Sequence, residues 1–386
     1  MSSRIWTDAE LDLMRTVGDP MADAVVTSLF AEGGIESVNA LMRTLVVNDG
    51  MPSHLLPVVV RDYLSQTSSA VAVDPEQVAR GEAMFGLWGP EMLLVLGFYA
   101  LPADYAAKKG VQVLFRTGRL TAQPVRRVFE TTQMVVDVMS PGGLAPTGDG
   151  VRSAQKVRLM HAAVRHLLTH DANHPWDPAL GTPINQEDLA GTLMSFSYLV
   201  LDGLSRLGVT LSDADRDAYF QAWMVIGRIM GVHEDLIPAN LDEAMSLTKL
   251  IHQRQIAPSP QGVALAAALV EGYRGLMPEL LKGTPVSLIH FFLDRDPFTG
   301  ENIAAMLGLP PADWTACVAG FLVDVDRFFG QRSIQAWLPD RAISYVSRHL
   351  IEGMLLVERG GRRAPFTIPD TLKARWGVGV AARESA

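Results

Sequence analysis

The sequence predicts an all-α fold, and two features carry that prediction. Apolar residues recur every three or four positions through most of the chain, which is the spacing of one helical face. No long segment keeps the every-second-residue alternation of a half-buried strand, and prolines and glycines punctuate the helical stretches. An all-α architecture agrees with both features.

The composition describes a folded chain with a core large enough to enclose a cofactor. Of the 386 residues, 48% are hydrophobic and 19% are charged, which excludes a disordered chain. Acidic residues outnumber basic ones by 42 to 33, and the net charge of -9 argues against nucleic acid as a partner. Cys317 is the only cysteine, which excludes an intramolecular disulfide, a CxxCH haem attachment and a thiolate iron-sulfur cluster.

Neither an export signal nor a membrane span is apparent in the sequence. The first twenty residues resemble a short acidic amphipathic helix, without the apolar core of a secretory signal or a twin-arginine pair. The longest apolar runs, near Met92 to Leu101 and Val263 to Val270, are well short of the roughly 20 residues that span a bilayer. We therefore expect a cytoplasmic protein with no transmembrane segment.

The first third of the chain is predicted to form helices separated by proline and glycine. Helical periodicity extends from Trp6 to about Gln66. The stretch from Asp74 to Tyr99 predicts two helices that are divided at Gly89 and Pro90. The stretch 104–120 predicts a helix that is broken at Gly110 and ends near residue 118.

The next helix is predicted to begin at Pro124 and to carry a polar stripe beside its apolar face. That stripe consists of Arg127, Thr131, Met134 and Val138, with Glu130 at its edge. A solvated face would not normally mix these residue types, so the stripe indicates the wall of a partly apolar cavity. A surface ion pair between Arg127 and Glu130 explains the spacing equally well.

The stretch from Arg152 to His170 is predicted to form a helix that places one histidine between an apolar and a cationic stripe. The apolar stripe consists of Val157, Met160, Val164 and Leu168, and the cationic stripe consists of Arg158 and Arg165. His161 lies between the stripes, and His166 points the opposite way. His161 is therefore either a core histidine bonded to backbone or an axial ligand of a metal or haem. In the second case the two arginines would meet the propionate carboxylates.

Beyond this helix the chain continues as helices with proline and glycine stops. A turn-rich segment precedes an apolar helix over 189–207, and a later helix ends at Gln255 with His252 as a possible neighbour of the site. The motifs of nucleotide-binding loops, serine hydrolases, zinc proteases and Glu-x-x-His di-iron bundles are absent. A histidine-ligated haem remains compatible with the sequence.

Two runs together resemble a known family. They are RRVFETTQMVVDVM, from Arg126 to Met139, and KVRLMHAAVRHLL, from Lys156 to Leu168. In this order they resemble the family that contains the latex clearing proteins, which are bacterial rubber oxygenases, and the fungal mycophenolate-pathway oxygenase. The resemblance extends over about 75–310. It implies a haem-binding core there, an N-terminal helical extension at 1–74, and C-terminal helices and a tail at 311–386.

The resemblance implies a b-type haem in a globin-like helical core with additional flanking helices. His161 would be the proximal ligand of the haem iron, flanked by Arg158 and Arg165 as cofactor-binding residues. Arg127 and Thr131 match the arginine and threonine of the family's distal pocket. Glu130 departs from the pattern, because the rubber oxygenases carry a lysine there that can cap the iron.

The chemistry that follows from the resemblance is O2-dependent cleavage of an apolar, isoprenoid-like alkene to two carbonyl products, with O2 as co-substrate. Glu130 would act as a base, hold a water or pair with Arg127. Alternatives are monooxygenation or peroxidase chemistry on another hydrophobic small molecule, and a non-catalytic haem-binding or lipid-binding protein.

Overall fold

A computed structural model describes residues 4–46, 56–69, 74–117, 124–277 and 279–312. Within these ranges every regular element is a helix, and one isolated bridge pairs Ala107 with Ile256. The predicted all-α fold is confirmed.

The helices are numbered in chain order. The first eight are α1 (Asp8–Met14), α2 (Pro20–Val46), α3 (Val58–Ser69), α4 (Pro75–Val95), α5 (Leu101–Tyr105), α6 (Val111–Arg116), α7 (Pro124–Met139) and α8 (Asp149–Thr169). A π-helix (Leu96–Ala100) joins α4 to α5. The later helices are α9 (Gln186–Phe196), α10 (Tyr198–Arg206), α11 (Asp213–Ile229), α12 (Leu241–Gln255), α13 (Pro260–Leu276), α14 (Thr284–Leu293) and α15 (Ile303–Met306). Short 3-10 helices occur at Pro178–Leu180, Glu234–Leu236 and Glu279–Leu281.

The chain divides into two compact units. Unit 1 consists of residues 1–82, 134–194 and 217–250, and unit 2 consists of residues 83–133, 195–216 and 251–386. The predicted division at residues 74 and 310 stays a prediction. Nearly all of its C-terminal part, with Cys317, lies outside the described residues.

The core of unit 1 forms where α8 packs against α2 and α3. Three residues of α8, Leu159, Ala162 and Ala163, are buried there together with Val26 and Leu29 of α2. The two alanines are small, which allows the helix axes to approach closely. Truncation of a buried leucine such as Leu159 would cost about 2 to 5 kcal/mol, so this packing fixes which face of α8 points away from α2 and α3.

The predicted helix break at Gly89 and Pro90 is wrong. Helix α4 continues through Pro90 and leads directly into the π-helix and α5. An interior proline costs about 3 kcal/mol, because it removes one backbone hydrogen bond and crowds the preceding turn. The residues that follow it, Met92, Leu93, Leu94 and Val95, are all buried. Since each buried side chain of this size gains about 1.5 to 3 kcal/mol, the packing outweighs the local penalty.

This continuity makes the helical segment Pro75–Tyr105 longer than the sequence suggested. By length and composition it could cross a membrane, but 78% of its most apolar window is buried inside the protein. Burial of this extent is the environment of a core helix. No other helix in the described ranges meets the same test of length and composition.

Two further helix breaks occur, one before Val111 and one at Ser197. The break at Gly110 is confirmed, because α5 ends at Tyr105 and α6 begins at Val111. Helix α6 ends at Arg116, two residues before the predicted end near residue 118. The single apolar helix expected over 189–207 is instead two helices, separated at Ser197, whose backbone φ and ψ of -104° and -76° leave the helical geometry. Apolar periodicity alone does not mark such a break.

Candidate functional site

His161 lies on a half-buried apolar strip of α8. Val157, Met160 and Val164 flank it at helical spacing, and all four side chains keep part of their surface accessible. The Nδ1 atom of His161 is itself buried. The opposite face of α8 is the one that packs in the core of unit 1. The helical spacing therefore predicted the position of His161 beside the apolar residues of α8, and its role as a ligand stays a prediction.

The two arginines of α8 are buried in ion pairs with the start of α2. The Nε and Nη2 atoms of Arg158 donate to the two carboxylate oxygens of Asp19 at 2.5 and 2.8 Å. Its Nη1 atom donates to the carbonyl oxygen of Ile229 at 3.1 Å. Arg165 pairs with Asp23 through Nη1 and donates to two backbone carbonyls through its other nitrogens. These guanidinium groups therefore anchor α8 to α2.

The ion pairs of Arg158 and Arg165 leave their predicted contacts with haem propionates without support. Their shared face on α8 is as predicted, but their charges are already matched by Asp19 and Asp23. Binding of a propionate would require a guanidinium group to leave a buried carboxylate unpaired, which is costly. The propionate role stays a prediction, and the structure supplies both arginines with a structural role instead.

Two glycines make room for these arginines. A Cβ atom on Gly231, whose φ is +82°, would lie 2.5 Å from the Nε atom of Arg158. A Cβ atom on Gly18 would lie 2.9 Å from the Nε atom of Arg165. Any larger residue would displace a buried guanidinium group, so the ion pairs depend on glycine at both positions.

The residues predicted for the distal side lie on α7 and belong to unit 2. The Nη1 atom of Arg127 donates to Oε2 of Glu130 at 2.8 Å, and Nε of Arg126 donates to Oε1 at 3.2 Å. The side chains of Arg127 and Glu130 are 27% and 30% exposed, and Thr131 is half-buried. The ion pair that the spacing allowed is therefore present, and both oxygens of Glu130 accept hydrogen bonds from arginine.

The other histidines have different surroundings. The ring of His166 stacks on Phe30 and on His170, with centroid distances of 4.2 and 4.1 Å. It lies on the side of α8 opposite His161, as predicted. In unit 2 the Nδ1 atom of His252 is bonded to Asp296 at 3.1 Å, and both residues are buried. Its predicted place beside the site stays a prediction.

A polar cluster that the sequence did not reveal surrounds the π-helix of unit 2. Asp104 accepts a hydrogen bond from the hydroxyl of Ser195 at 2.7 Å, and burial raises the pKa of its carboxyl to about 7. The neighbouring Tyr105 is fully buried. Tyr273 donates to the carbonyl oxygen of Gly97 at 3.2 Å. The sequence signal was misleading, because Asp104 and Tyr105 precede two lysines and resemble the start of a solvated helix.

Comparison with known proteins identifies the family. The profile described as "ER-bound oxygenase mpaB/B'/Rubber oxygenase, catalytic domain" matches residues 77–321, which is more than half of the chain. The chain belongs to this family. The predicted resemblance is confirmed, and the chain is accordingly an oxygenase, an enzyme of the oxidoreductase class.

Two relatives of the rubber oxygenase family extend the comparison to nearly the whole chain. The rubber oxygenase of Streptomyces sp. (strain K30) is 28% identical over 366 residues, which cover 92% of this chain and 86% of that protein. A solved structure of latex clearing protein in the closed state has a TM-score of 0.68 and 24% sequence identity. It covers 92% of this chain and 95% of the other, so the two proteins share their fold.

Helix α8 of this member of the rubber oxygenase family carries the residues that would contact a haem. His161 would hold the haem iron and Val157, Met160 and Val164 would contact the haem, because a haem face is apolar and its iron accepts an imidazole nitrogen. The donor chemistry on α8 therefore fits the iron. It does not supply the propionate contacts, since Arg158 and Arg165 are engaged elsewhere.

Proposed function

We propose that the chain is a haem b-dependent oxygenase that cleaves an apolar, isoprenoid-like alkene with O2. The family supports oxygenase chemistry. The Streptomyces relative is named a rubber oxygenase, and rubber is an isoprenoid polymer, which supports an isoprenoid substrate. The observation that carries the proposal is the half-buried apolar strip of α8 with His161 at its centre. A neutral imidazole on such a wall is suited to bind haem iron.

In this proposal each part of α8 has a separate task. His161 holds the iron through its imidazole, and Val157, Met160 and Val164 keep water from that side. A histidine-bound ferrous haem supplies the activation of O2 that oxidative cleavage of an alkene requires. The ion pairs of Arg158 and Arg165 fix the rotation of α8 on α2, and so fix the direction in which the imidazole points.

For α7 we propose that Arg127 and Thr131 provide hydrogen-bonding groups on the distal side and that Glu130 positions Arg127. Glu130 accepts hydrogen bonds from two arginines, at 2.8 and 3.2 Å. Both carboxylate oxygens of Glu130 are thus already engaged by arginine side chains of the same helix. The positioning role is therefore better supported than proton abstraction.

The proposed reaction is tested by its oxygen balance on an isoprenoid alkene. Cleavage of one carbon-carbon double bond by O2 yields two carbonyl groups, uses both oxygen atoms and needs no external reductant. The measurement combines O2 uptake, product analysis with oxygen-18 gas, and an absorption spectrum with dithionite and CO to establish haem. We expect label in both carbonyl products and O2 uptake that matches the alkene consumed.

The same measurement separates the alternatives. Incorporation of one labelled atom with a need for reductant would indicate a monooxygenase, and dependence on peroxide would indicate a peroxidase. Stoichiometric haem without turnover of any isoprenoid would favour a haem-binding or lipid-binding protein. Absence of haem from protein produced with sufficient iron would contradict the proposal itself.

A further inference from the structure

The π-helix at Leu96–Ala100 organises the interior of unit 2. Helices α10 and α14 pack against it, and α13 packs against α5, which follows it. Tyr273 of α13 donates to the carbonyl oxygen of Gly97, and a Cβ atom on Gly97 would lie 2.9 Å from that hydroxyl. A π-turn is a costly local geometry that often occurs at functional sites. The π-helix leads directly into α5, which contains Asp104 and Tyr105.

Tyr105 is the residue whose environment is hardest to explain by packing alone. Its side chain is fully buried, and its hydroxyl has no hydrogen-bond partner among the residues that the structure describes. Buried hydroxyl groups of this kind are rare, because the group loses its contacts with water and gains nothing in return. A phenylalanine would fill the same space without that penalty. The unpaired hydroxyl thus indicates that a partner outside the chain completes the site.

Asp104, the residue before it, has a complementary environment. Within the described part of the chain, only one of its carboxylate oxygens, Oδ1, accepts a hydrogen bond, from Ser195. The surrounding protein raises the pKa of the carboxyl to about 7, yet the residue keeps part of its surface accessible. The other carboxylate oxygen, Oδ2, is therefore able to accept a hydrogen bond from a ligand.

The hydroxyl of Tyr105 lies within electrostatic reach of three other polar groups. Burial raises its pKa, the Tyr273 hydroxyl and the Asp104 carboxyl raise it further, and Arg127 lowers it. The hydroxyl therefore stays protonated and acts as a donor. The ring of Tyr273 also packs on Phe98, with centroids 4.7 Å apart, so these polar groups are set among aromatic side chains. One of them, Arg127, belongs to the predicted distal residues on α7.

We infer that Tyr105 and Asp104 bind a hydroxyl group carried by an otherwise apolar substrate. The ligand hydroxyl would accept a hydrogen bond from Tyr105 and donate one to Asp104, which satisfies both groups. A pure hydrocarbon would leave both unpaired, and sites built around such groups discriminate strongly against ligands that lack the partner. The inference rests on the proposed function for the alkene part of the substrate, and it makes that substrate an alcohol instead of a hydrocarbon polymer.

The test compares three ligands that share one carbon skeleton. Farnesene is the hydrocarbon, farnesol adds a hydroxyl group, and the methyl ether of farnesol keeps the oxygen as an acceptor without the donor. Affinities for the purified holoprotein are measured by equilibrium dialysis, which does not depend on turnover. We expect farnesol to bind about tenfold more tightly than farnesene, which corresponds to about 1.4 kcal/mol. The methyl ether is expected to lie between them, because it retains only the bond from Tyr105.

Variants assign that preference to the two residues. Tyr105→Phe is expected to reduce the preference for farnesol over farnesene to about threefold or less, with little effect on the affinity for farnesene. Asp104→Leu is expected to make farnesol and its methyl ether bind equally. Tyr63→Phe is the matched control, since Tyr63 is also a buried tyrosine but its hydroxyl already donates to the carbonyl oxygen of Gln155 at 3.2 Å. It should keep the full preference.

Thermal unfolding provides a second readout that a failure to fold cannot mimic. Tyr105→Phe should leave the unfolding temperature unchanged or raise it, whereas Tyr63→Phe should lower it, because only the second change removes an existing hydrogen bond. Equal affinity of the wild type for farnesol and farnesene, or an unchanged preference in Tyr105→Phe, would overturn the inference. Haem binding and alkene cleavage are scored separately. A preference that depends on Tyr105 in a protein without haem would uphold this site and contradict the proposed function.

Discussion

His161 is the residue on which the proposed function most directly depends. His161→Ala removes the imidazole and leaves the core face of α8 untouched, so we expect loss of stoichiometric haem with normal helix content. His166→Ala is the matched control, because it changes a histidine of the same helix that stacks on Phe30 and lies on the opposite side. The measurements are the ratio of haem to protein by absorption and the far-ultraviolet circular dichroism. Equal haem occupancy in His161→Ala and wild type would show that the ligand assignment is wrong.

A substitution at Glu130 distinguishes a role in positioning Arg127 from a role in proton transfer. If it only holds Arg127, Glu130→Gln should retain haem and reduce turnover by less than about tenfold, because an exposed ion pair contributes about 0.2 to 1 kcal/mol. A general base would instead account for roughly two to four orders of magnitude. The measurement is the turnover of an isoprenoid alkene across a pH series. A loss of a hundredfold or more that wild type reproduces at low pH would restore Glu130 as the base.

Residue identities could be predicted better than residue partners. The helical spacing placed His161 between an apolar stripe and the Arg158 stripe, and the structure has the same arrangement on α8. The partner of Arg158 is Asp19, which is 139 residues away in the chain, and nothing in the local pattern indicates it. A cation beside an apolar stripe looks alike whether it meets a propionate or a buried carboxylate, because both are anions of the same geometry.

At the scale of elements, the anchoring of α8 to α2 gives a prediction about stability. Arg158→Leu would leave Asp19 buried without its partner, and we expect a loss of about 3 to 5 kcal/mol in the free energy of unfolding. Combining it with Asp19→Asn should recover part of the loss, since the uncompensated charge is then removed. Urea denaturation followed by circular dichroism measures both.

Arg126→Leu is the control for this change, because it removes an arginine whose side chain is 51% exposed and that pairs with Glu130 on the surface. It should cost about 1 kcal/mol or less. Equal losses in Arg126→Leu and Arg158→Leu would show that the buried pair does not anchor α8. The folded fraction of Arg158→Leu should also keep its haem, because Arg165 still pairs with Asp23 and holds α8 on α2. Loss of haem in Arg158→Leu that Asp19→Asn alone does not cause would support the propionate role.

Helix boundaries were predicted correctly where apolar periodicity determines them. They were predicted wrongly where tertiary packing outweighs a local preference. The helices that became α7 and α8 begin near the predicted residues and present the predicted faces. Pro90 was expected to end a helix, because a proline in the interior is locally unfavourable, but the buried residues after it offset that cost. The π-helix at Leu96–Ala100 has no pattern of its own in the sequence, since one extra residue in a turn leaves apolar spacing almost unchanged.

At the scale of the whole molecule, fold and reaction class follow from features that extend along most of the chain. The ordered runs on α7 and α8 identified the family before any distance was known, because two helices with fixed polar positions are more specific than one histidine. The substrate does not follow in the same way. By our inference it depends on a few groups such as Tyr105, which is buried where α5 packs against α13.

The raised pKa of Asp104 should make the free energy of unfolding of the whole chain depend on pH. Burial raises the pKa of its carboxyl from the ordinary value of 3.8 to about 7 in the folded state. Between these two pH values the folded chain holds a proton that the unfolded chain has released, so the free energy of unfolding falls as the pH rises through this window. Below it both states are protonated, and above it both are ionised, so the contribution is constant on either side.

Asp104→Asn removes this term while it keeps a similar shape and an acceptor for Ser195. We therefore expect the wild type to lose stability relative to Asp104→Asn as the pH rises from about 4 to about 7, and the two curves to run parallel above that. Urea denaturation at a series of pH values measures the difference directly, and the rest of the net charge of -9 cancels in the comparison, because all other charged groups are common to both chains. Curves that stay parallel through the whole window would mean that the carboxyl titrates as it does in water. Asp104 would then be in contact with solvent, and a desolvated contact with a substrate hydroxyl could not form there.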